Sequence, residues 1–213
     1  MKVTDKITIT NEDNMELMAR YTDNYFDLAI VDPPYGYGNK ETKILNFRQK
    51  EQHKDWNVAP NDNYFKELFR ISKNQIIWGG NYFPFIWNYG GRCFIYWHKG
   101  NPVENFADGE LAWTSFDKNA KQFDYRYYGN LEGKTSTSAK FHPTQKPVAL
   151  YKWILDKYAK EGDKILDTHL GSGSIAIACH DYDYELTACE LDAEYYEKAV
   201  ERIKNHTNQL KLF

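Results

Sequence analysis

Short apolar runs bounded by acids, glycines and prolines recur along this 213-residue chain, and their spacing separates strands from helices. Leu28-Ala29-Ile30-Val31 reads as a strand that stops at Asp32-Pro33-Pro34, because proline lacks an N–H and cannot continue a ladder. Gln75-Ile76-Ile77-Trp78 is a short buried strand followed by the loop Gly79-Gly80-Asn81-Tyr82, and Arg92-Cys93-Phe94-Ile95-Tyr96-Trp97 is another strand, ending at His98-Lys99. Lys164-Ile165-Leu166-Asp167 is a buried strand leading into a glycine turn, and Glu185-Leu186-Thr187-Ala188-Cys189 ends in Glu190. Helical spacing takes over at 61–70, where Tyr64, Leu68 and Phe69 are apolar and Asn61 is the cap. It returns after Pro147, placed at a first helical position, with Val148, Leu150, Tyr151 and Ile154 on one face, and again at Ile175-Ala176-Ile177-Ala178. Strands alternating with helices predict an α/β fold with a doubly wound sheet, in which loops at the carboxyl ends of the strands line a ligand crevice.

Two of those strand ends carry chemistry. At the first, Asp32 and the Pro33 carbonyl can accept both protons of an exocyclic amino group, drawing its lone pair out of conjugation, while Tyr35 stacks on the ring. A strand end with a Pro-Pro turn and a surface tyrosine has the same sequence, so the tetrapeptide alone leaves both readings open. At the second, Asp167-Thr168-His169-Leu170-Gly171-Ser172-Gly173-Ser174 joins a buried strand to a helix start, the place where a nucleotide-like cofactor sits over helix N–H groups. Glu190 follows about 20 residues past the glycines, where a ribose hydroxyl is usually gripped. The third glycine of the dinucleotide fingerprint is absent, which weakens a pyrophosphate-binding reading.

With these motifs in hand, the chain resembles the beta class of S-adenosylmethionine-dependent DNA amino-methyltransferases, in which the Asp-Pro-Pro-Tyr motif precedes the glycine motif. Its most specific match is His142-Pro143-Thr144-Gln145-Lys146-Pro147. The resemblance covers nearly the whole chain. It implies a Rossmann-like methyltransferase fold with a doubly wound mixed sheet and permuted motif order, in one domain over 1–213 with a short target-recognition insertion at 115–141. It further implies catalytic roles for Asp32, Pro33, Pro34 and Tyr35, and cofactor contacts from Asp13, Asp32, Thr144, Lys146, Asp167, His169, Gly171, Ser172, Gly173 and Glu190. Within that set Asp13 would reach the cofactor's adenine, and Thr144 and Lys146 its methionine carboxylate. Thr168, His169 and Leu170 depart from the family's glycine motif, and His169 reads as a loop histidine filling that space. An acid at position 32 resembles the N6-adenine group, whereas a serine would resemble the N4-cytosine group. A ring-carbon methyltransferase needs a nucleophilic cysteine after a proline, and none of the three cysteines follows one.

Charge changes the picture only through its distribution. The net value of −3 argues against a nucleic-acid partner, yet 114–152 carries seven basic residues against three acids, and 40–54 five against two. Phe123-Asp124-Tyr125-Arg126-Tyr127-Tyr128 alternates aromatic and polar residues around an arginine, which suits phosphates and splayed bases and equally a half-buried strand. Lys118, Arg126, Lys134 and Lys140 are the candidate DNA contacts. The expected partners are DNA, S-adenosylmethionine and, because the family often dimerises through the 92–97 part of the sheet, a second copy. No metal is expected, since the six histidines are scattered. No run approaches membrane-spanning length, and Cys93, Cys179 and Cys189 read as reduced core thiols, so a cytoplasmic protein is expected. The competing class is an α/β protein that binds a nucleotide without methyl transfer, or an NAD enzyme using Gly171-Ser172-Gly173 as its phosphate loop.

Overall fold

The computed structural model describes residues 1–36, 58–100, 107–126 and 145–208. In chain order the elements are β1 (Ile7–Asn11), α1 (Asn14–Met18), β2 (Phe26–Val31), α2 (Asp62–Ile71), β3 (Ser72–Trp78), α3 (Pro84–Trp87), β4 (Phe94–His98), β5 (Gly109–Thr114), β6 (Lys121–Asp124), α4 (Val148–Tyr158), β7 (Lys164–Asp167), α5 (Ser174–Asp181), β8 (Glu185–Glu190) and α6 (Ala193–Thr207). One sheet holds all eight strands in the order β1-β8-β7-β2-β3-β5-β4-β6. The first five run parallel, β5 is antiparallel to both neighbours, and β6 lies parallel to β4.

Each central strand is apolar on both faces because both are covered. Leu28 and Ile30 of β2 pack with Leu150, Ile154, Ile175 and Ala199 from α4, α5 and α6, while Ala29 and Val31 pack with Leu17, Phe65, Leu68 and Ile86 from α1, α2 and α3. The predicted start of α2 is realised: the Asn61 side chain accepts from the N–H groups of Asn63 and Tyr64. At α4 the expectation shifts by one residue. Pro147 is extended (φ −71°, ψ 145°) and caps the helix, so Val148 opens it. Of the aromatic run 123–128, Phe123 and Asp124 end β6, whose partner β4 ends at His98, and the Tyr125 N–H donates to the His98 carbonyl; Tyr127 and Tyr128 lie outside the described residues.

The chain leaves β2 toward β3 on one side and β7 toward β8 on the other, and β2 and β7 are neighbours, with Leu28 beside Ile165 and Ala29 beside Leu166. This is the topological switch point, where connections diverge and a crevice opens beyond the strand ends. Asp32 leaves one lip of that crevice and Thr168 the other.

Candidate active site

On the β2 lip, pairing with β3 stops at Val31, and Asp32 follows beneath the edge with Pro33 buried behind it. The Tyr35 hydroxyl donates to Asp32 Oδ1 at 2.9 Å, and its ring leans on Tyr82 with centroids 4.9 Å apart. Gly79 makes that placement possible. Its φ is +67°, and a Cβ there would lie 2.1 Å from the Tyr35 ring, so both conformation and space require glycine. Gly80 is structural, since its absent Cβ would meet Trp113.

Lys146 emerges just before α4, its side chain only 3% exposed. Its ammonium donates to Asp32 Oδ2 at 2.5 Å, lies 3.0 Å from Glu110 Oε2, and sits 5.1 Å over the Trp78 ring. Glu110, at the crevice end of the antiparallel strand β5, is bonded through Oε1 to Lys99 at the end of β4. Two carboxylates and two ammoniums thus share one half-buried cluster around the buried Lys146, which keeps the burial of its charge tolerable. Burial pushes Asp32 up and the charge of Glu110 adds to that, against the pull of Lys146; the net direction is upward. Burial also works against the charge of Glu110, but Lys146 and Lys99 hold its carboxyl at about 2. Burial opposes the Lys146 charge too, yet Asp32 and Glu110 keep its pKa above the ordinary lysine range.

The β7 lip is built differently. Asp167, 2% exposed, accepts from the His169 N–H at 2.9 Å, and burial pushes its carboxyl up to about 8. The His169 ring meets Asn14 Nδ2 at 3.2 Å on one side and the Thr168 hydroxyl at 3.0 Å on the other, and Thr168 in turn meets the Tyr64 hydroxyl at 2.7 Å. Burial beneath these groups lowers the imidazole to about 3, so it is neutral around pH 7. Glu190 clamps the turn: its carboxylate accepts from the N–H groups of Gly171 at 2.8 Å and Asp192 at 3.0 Å. Gly173 answers a packing demand. It caps α5 at φ +74°, and a Cβ would lie 2.9 Å from Ile203 Cδ1 on α6. The Ser172 carbonyl accepts from Arg202 of the same helix. Asp13 caps α1 by accepting from the Met15 N–H at 2.7 Å, and it follows β1, whose Asn11 pairs with Glu190, so both acids stand on one edge.

The fold therefore brings Asp13, Asp32, Pro33, Pro34, Tyr35, Lys146, Asp167, His169, Gly171, Ser172, Gly173 and Glu190 to the same side of the sheet. Arg126 follows β6 on that side, its stem crossing Gly100. Lys118 does not join them. It precedes β6, at the opposite edge, with its ammonium 5.1 Å over Phe116 and 5.2 Å over Tyr158. Thr144, Lys134 and Lys140 lie outside the described residues. Sequence reasoning missed Glu110, Lys99, Asn14, Tyr64 and the role of Gly79, because none stands in a motif. The nearest signal was an acid straight after Asp108-Gly109 at a strand start.

A family model described as DNA methylase matches residues 96–201. Type II methyltransferase M2.DpnII of Streptococcus pneumoniae is 23% identical over 96% of this chain and 92% of its own length. The crystal structure of the M1.HpyAVI–SAM complex superposes with a TM-score of 0.64 at 18% identity, over 92% of this chain and 98% of that one. PvuII DNA methyltransferase, cytosine-N4-specific, superposes at 0.60 and 12% identity over 94% and 90%. These findings support a DNA amino-methyltransferase of the N6/N4 group.

Proposed function

We propose that this protein methylates the N6 amino group of adenine in DNA, with S-adenosylmethionine as donor and the target nucleotide flipped into the crevice. The observation that carries the reading is the adjacency of Asp32-Pro33-Pro34-Tyr35, after β2, to the 168–173 turn, after β7, at the one point where the sheet reverses its winding. The groups on the β7 lip suit an uncharged nucleoside: a carboxylate already fixed by the turn at Glu190, an acid at Asp13 on the same edge, and the neutral pair Asp167 and His169. The donor supplies an electrophilic methyl on a sulfonium; transfer forms an N–C bond, breaks the C–S bond to leave a thioether, and releases one amino proton to solvent. The protein's part is positioning, worth several orders of magnitude when the nitrogen is held within about 3–3.5 Å of its target. Asp32 and the Pro33 carbonyl hold the two amino protons and Tyr35 covers the base face, while its packing on Tyr82 keeps the ring upright. Arg126 is a phosphate contact at the mouth; Lys134 and Lys140, outside the described residues, are proposed as phosphate contacts from the sequence alone.

N4-cytosine is the second reading, favoured by the family model's breadth and by the likeness to the PvuII fold. Both bases present the same NH₂ to Asp32. Mass spectrometry of nucleosides from DNA of cells expressing the protein decides between them: N6-methyladenine is expected, and N4-methylcytosine alone would overturn the adenine assignment.

A further inference from the structure

Asp32 is fully engaged in this structure. Oδ1 accepts from Tyr35 and Oδ2 from Lys146. Resting on the reading of Asp32 as the amino-group acceptor, the Lys146 ammonium stands where the NH₂ of the base must go, a cationic donor in the seat of a neutral one. Both would donate N–H to the Asp32 carboxylate, so base and lysine compete for it. A second acid is ready for the displaced lysine. Glu110 Oε2 is buried and lies 3.0 Å from Lys146 Nζ, but off the hydrogen-bonding direction, so among the described residues it accepts no aligned bond. Lys99 pins the other oxygen and thereby fixes the carboxylate.

We propose that Lys146 is a displaceable plug of the amino-group seat and that Glu110 is the positioning residue onto which it moves when the flipped base enters. The shift trades the Asp32 contact for a closer hold on Glu110, already 3.0 Å away, and leaves the Asp32 carboxylate to the neutral donors of the base and Tyr35, while the net charge of the cluster stays constant. It also removes an ammonium from beside a nitrogen that becomes cationic as it gains the methyl, leaving the Asp32 charge to that nitrogen. Selectivity for an amino-bearing base follows, since only a donor can replace Lys146 on Asp32 without leaving the carboxylate unpaired.

The test combines initial rates of labelled methyl transfer to unmethylated genomic DNA with calorimetric binding of S-adenosylhomocysteine. In Glu110→Gln the lysine has only Asp32 to hold, so KM for DNA should rise roughly tenfold with a smaller change in kcat, as expected for coupled neighbours. Glu110→Asp, which keeps the charge, should recover most of that loss. The double variant Lys146→Met/Glu110→Gln should return KM toward that of Lys146→Met alone, because the plug is gone, and product binding should stay within about twofold of wild type in the Glu110 single variants. An unchanged KM in Glu110→Gln, or additive losses in the double variant, overturns the plug. So does a large loss of S-adenosylhomocysteine affinity in Lys146→Met, which would assign the ammonium to the donor's carboxylate instead. Near-wild-type turnover in Asp32→Ala would sink the amino-group assignment itself; an inactive Asp32→Ala beside an unaltered Glu110→Gln sinks only the plug.

Discussion

Both lips of the crevice carry an acid at the end of a parallel strand, and the two acids are partnered differently. On the β2 side the acids Asp32 and Glu110 are ion-paired with ammoniums. On the β7 side Asp167 is pushed up to about 8 and His169 down to about 3, with no cation paired to either among the described residues, so both are neutral near pH 7. An acid at the end of a parallel strand therefore has no fixed role. What a third element brings to it decides: α4 delivers Lys146 to Asp32, whereas α2 delivers only the Tyr64 hydroxyl to the β7 lip. Under the proposed function, the first side directs charge at the reacting nitrogen and the second receives the donor's nucleoside.

Removing charge from the first lip should have the largest effect. Asp32→Ala should cut turnover by about three orders of magnitude, in line with the loss of a preorganised electrostatic contact, while S-adenosylhomocysteine still raises the melting temperature. Gly79→Ala should come next. Its methyl would collide with the Tyr35 ring at φ +67°, so it should lower turnover by about tenfold and stability by about 1–2 kcal/mol, read from rates and chemical denaturation. Gly173→Ala meets the flexible end of Ile203 instead of a ring held in the site, so about 1–2 kcal/mol of stability should be lost with turnover nearly kept. If both glycine variants lose turnover equally, the contrast between the lips fails.

The smallest effects are those of pH. Asp167 titrates near 8 when folded and near the ordinary value of about 4 when unfolded, so the folded state holds the extra proton between them, and stability contributed by the acid form is lost as pH rises toward 8. His169 works the other way: stability present above its unfolded value of about 6.5 is lost as pH falls toward 3. Melting temperatures should therefore fall more steeply in wild type than in Asp167→Asn between pH 6.5 and 8.5, and more steeply on acidification below pH 6.5 than in His169→Asn. Parallel curves would mean that the β7 lip is charged and that the two lips are alike.

The strands that flank the crevice were legible in the chain because apolar runs stopped by acids, prolines or glycines are local signals. The expected span 164–167 is β7, the run before Asp32 is the end of β2, and Asn61 caps α2 through its own side chain. Strand β5 was not legible: its antiparallel insertion between β3 and β4 depends on pairing with both, and without it Glu110 has no place in the crevice. The same limit separates the two candidate basic contacts. Lys118 and Arg126 stand eight positions apart in a basic stretch, yet β6 runs between them and carries them to opposite edges.

Residue order alone determined the α/β class, the permuted order of the two motifs and the identity of the acids at the strand ends, since each depends on a few consecutive residues and their backbone preferences. Only tertiary packing decided the partners of those acids. Lys146 lies 114 positions from Asp32, and such a pair is set by where α4 docks on the sheet, through burial summed over many side chains that no local pattern encodes.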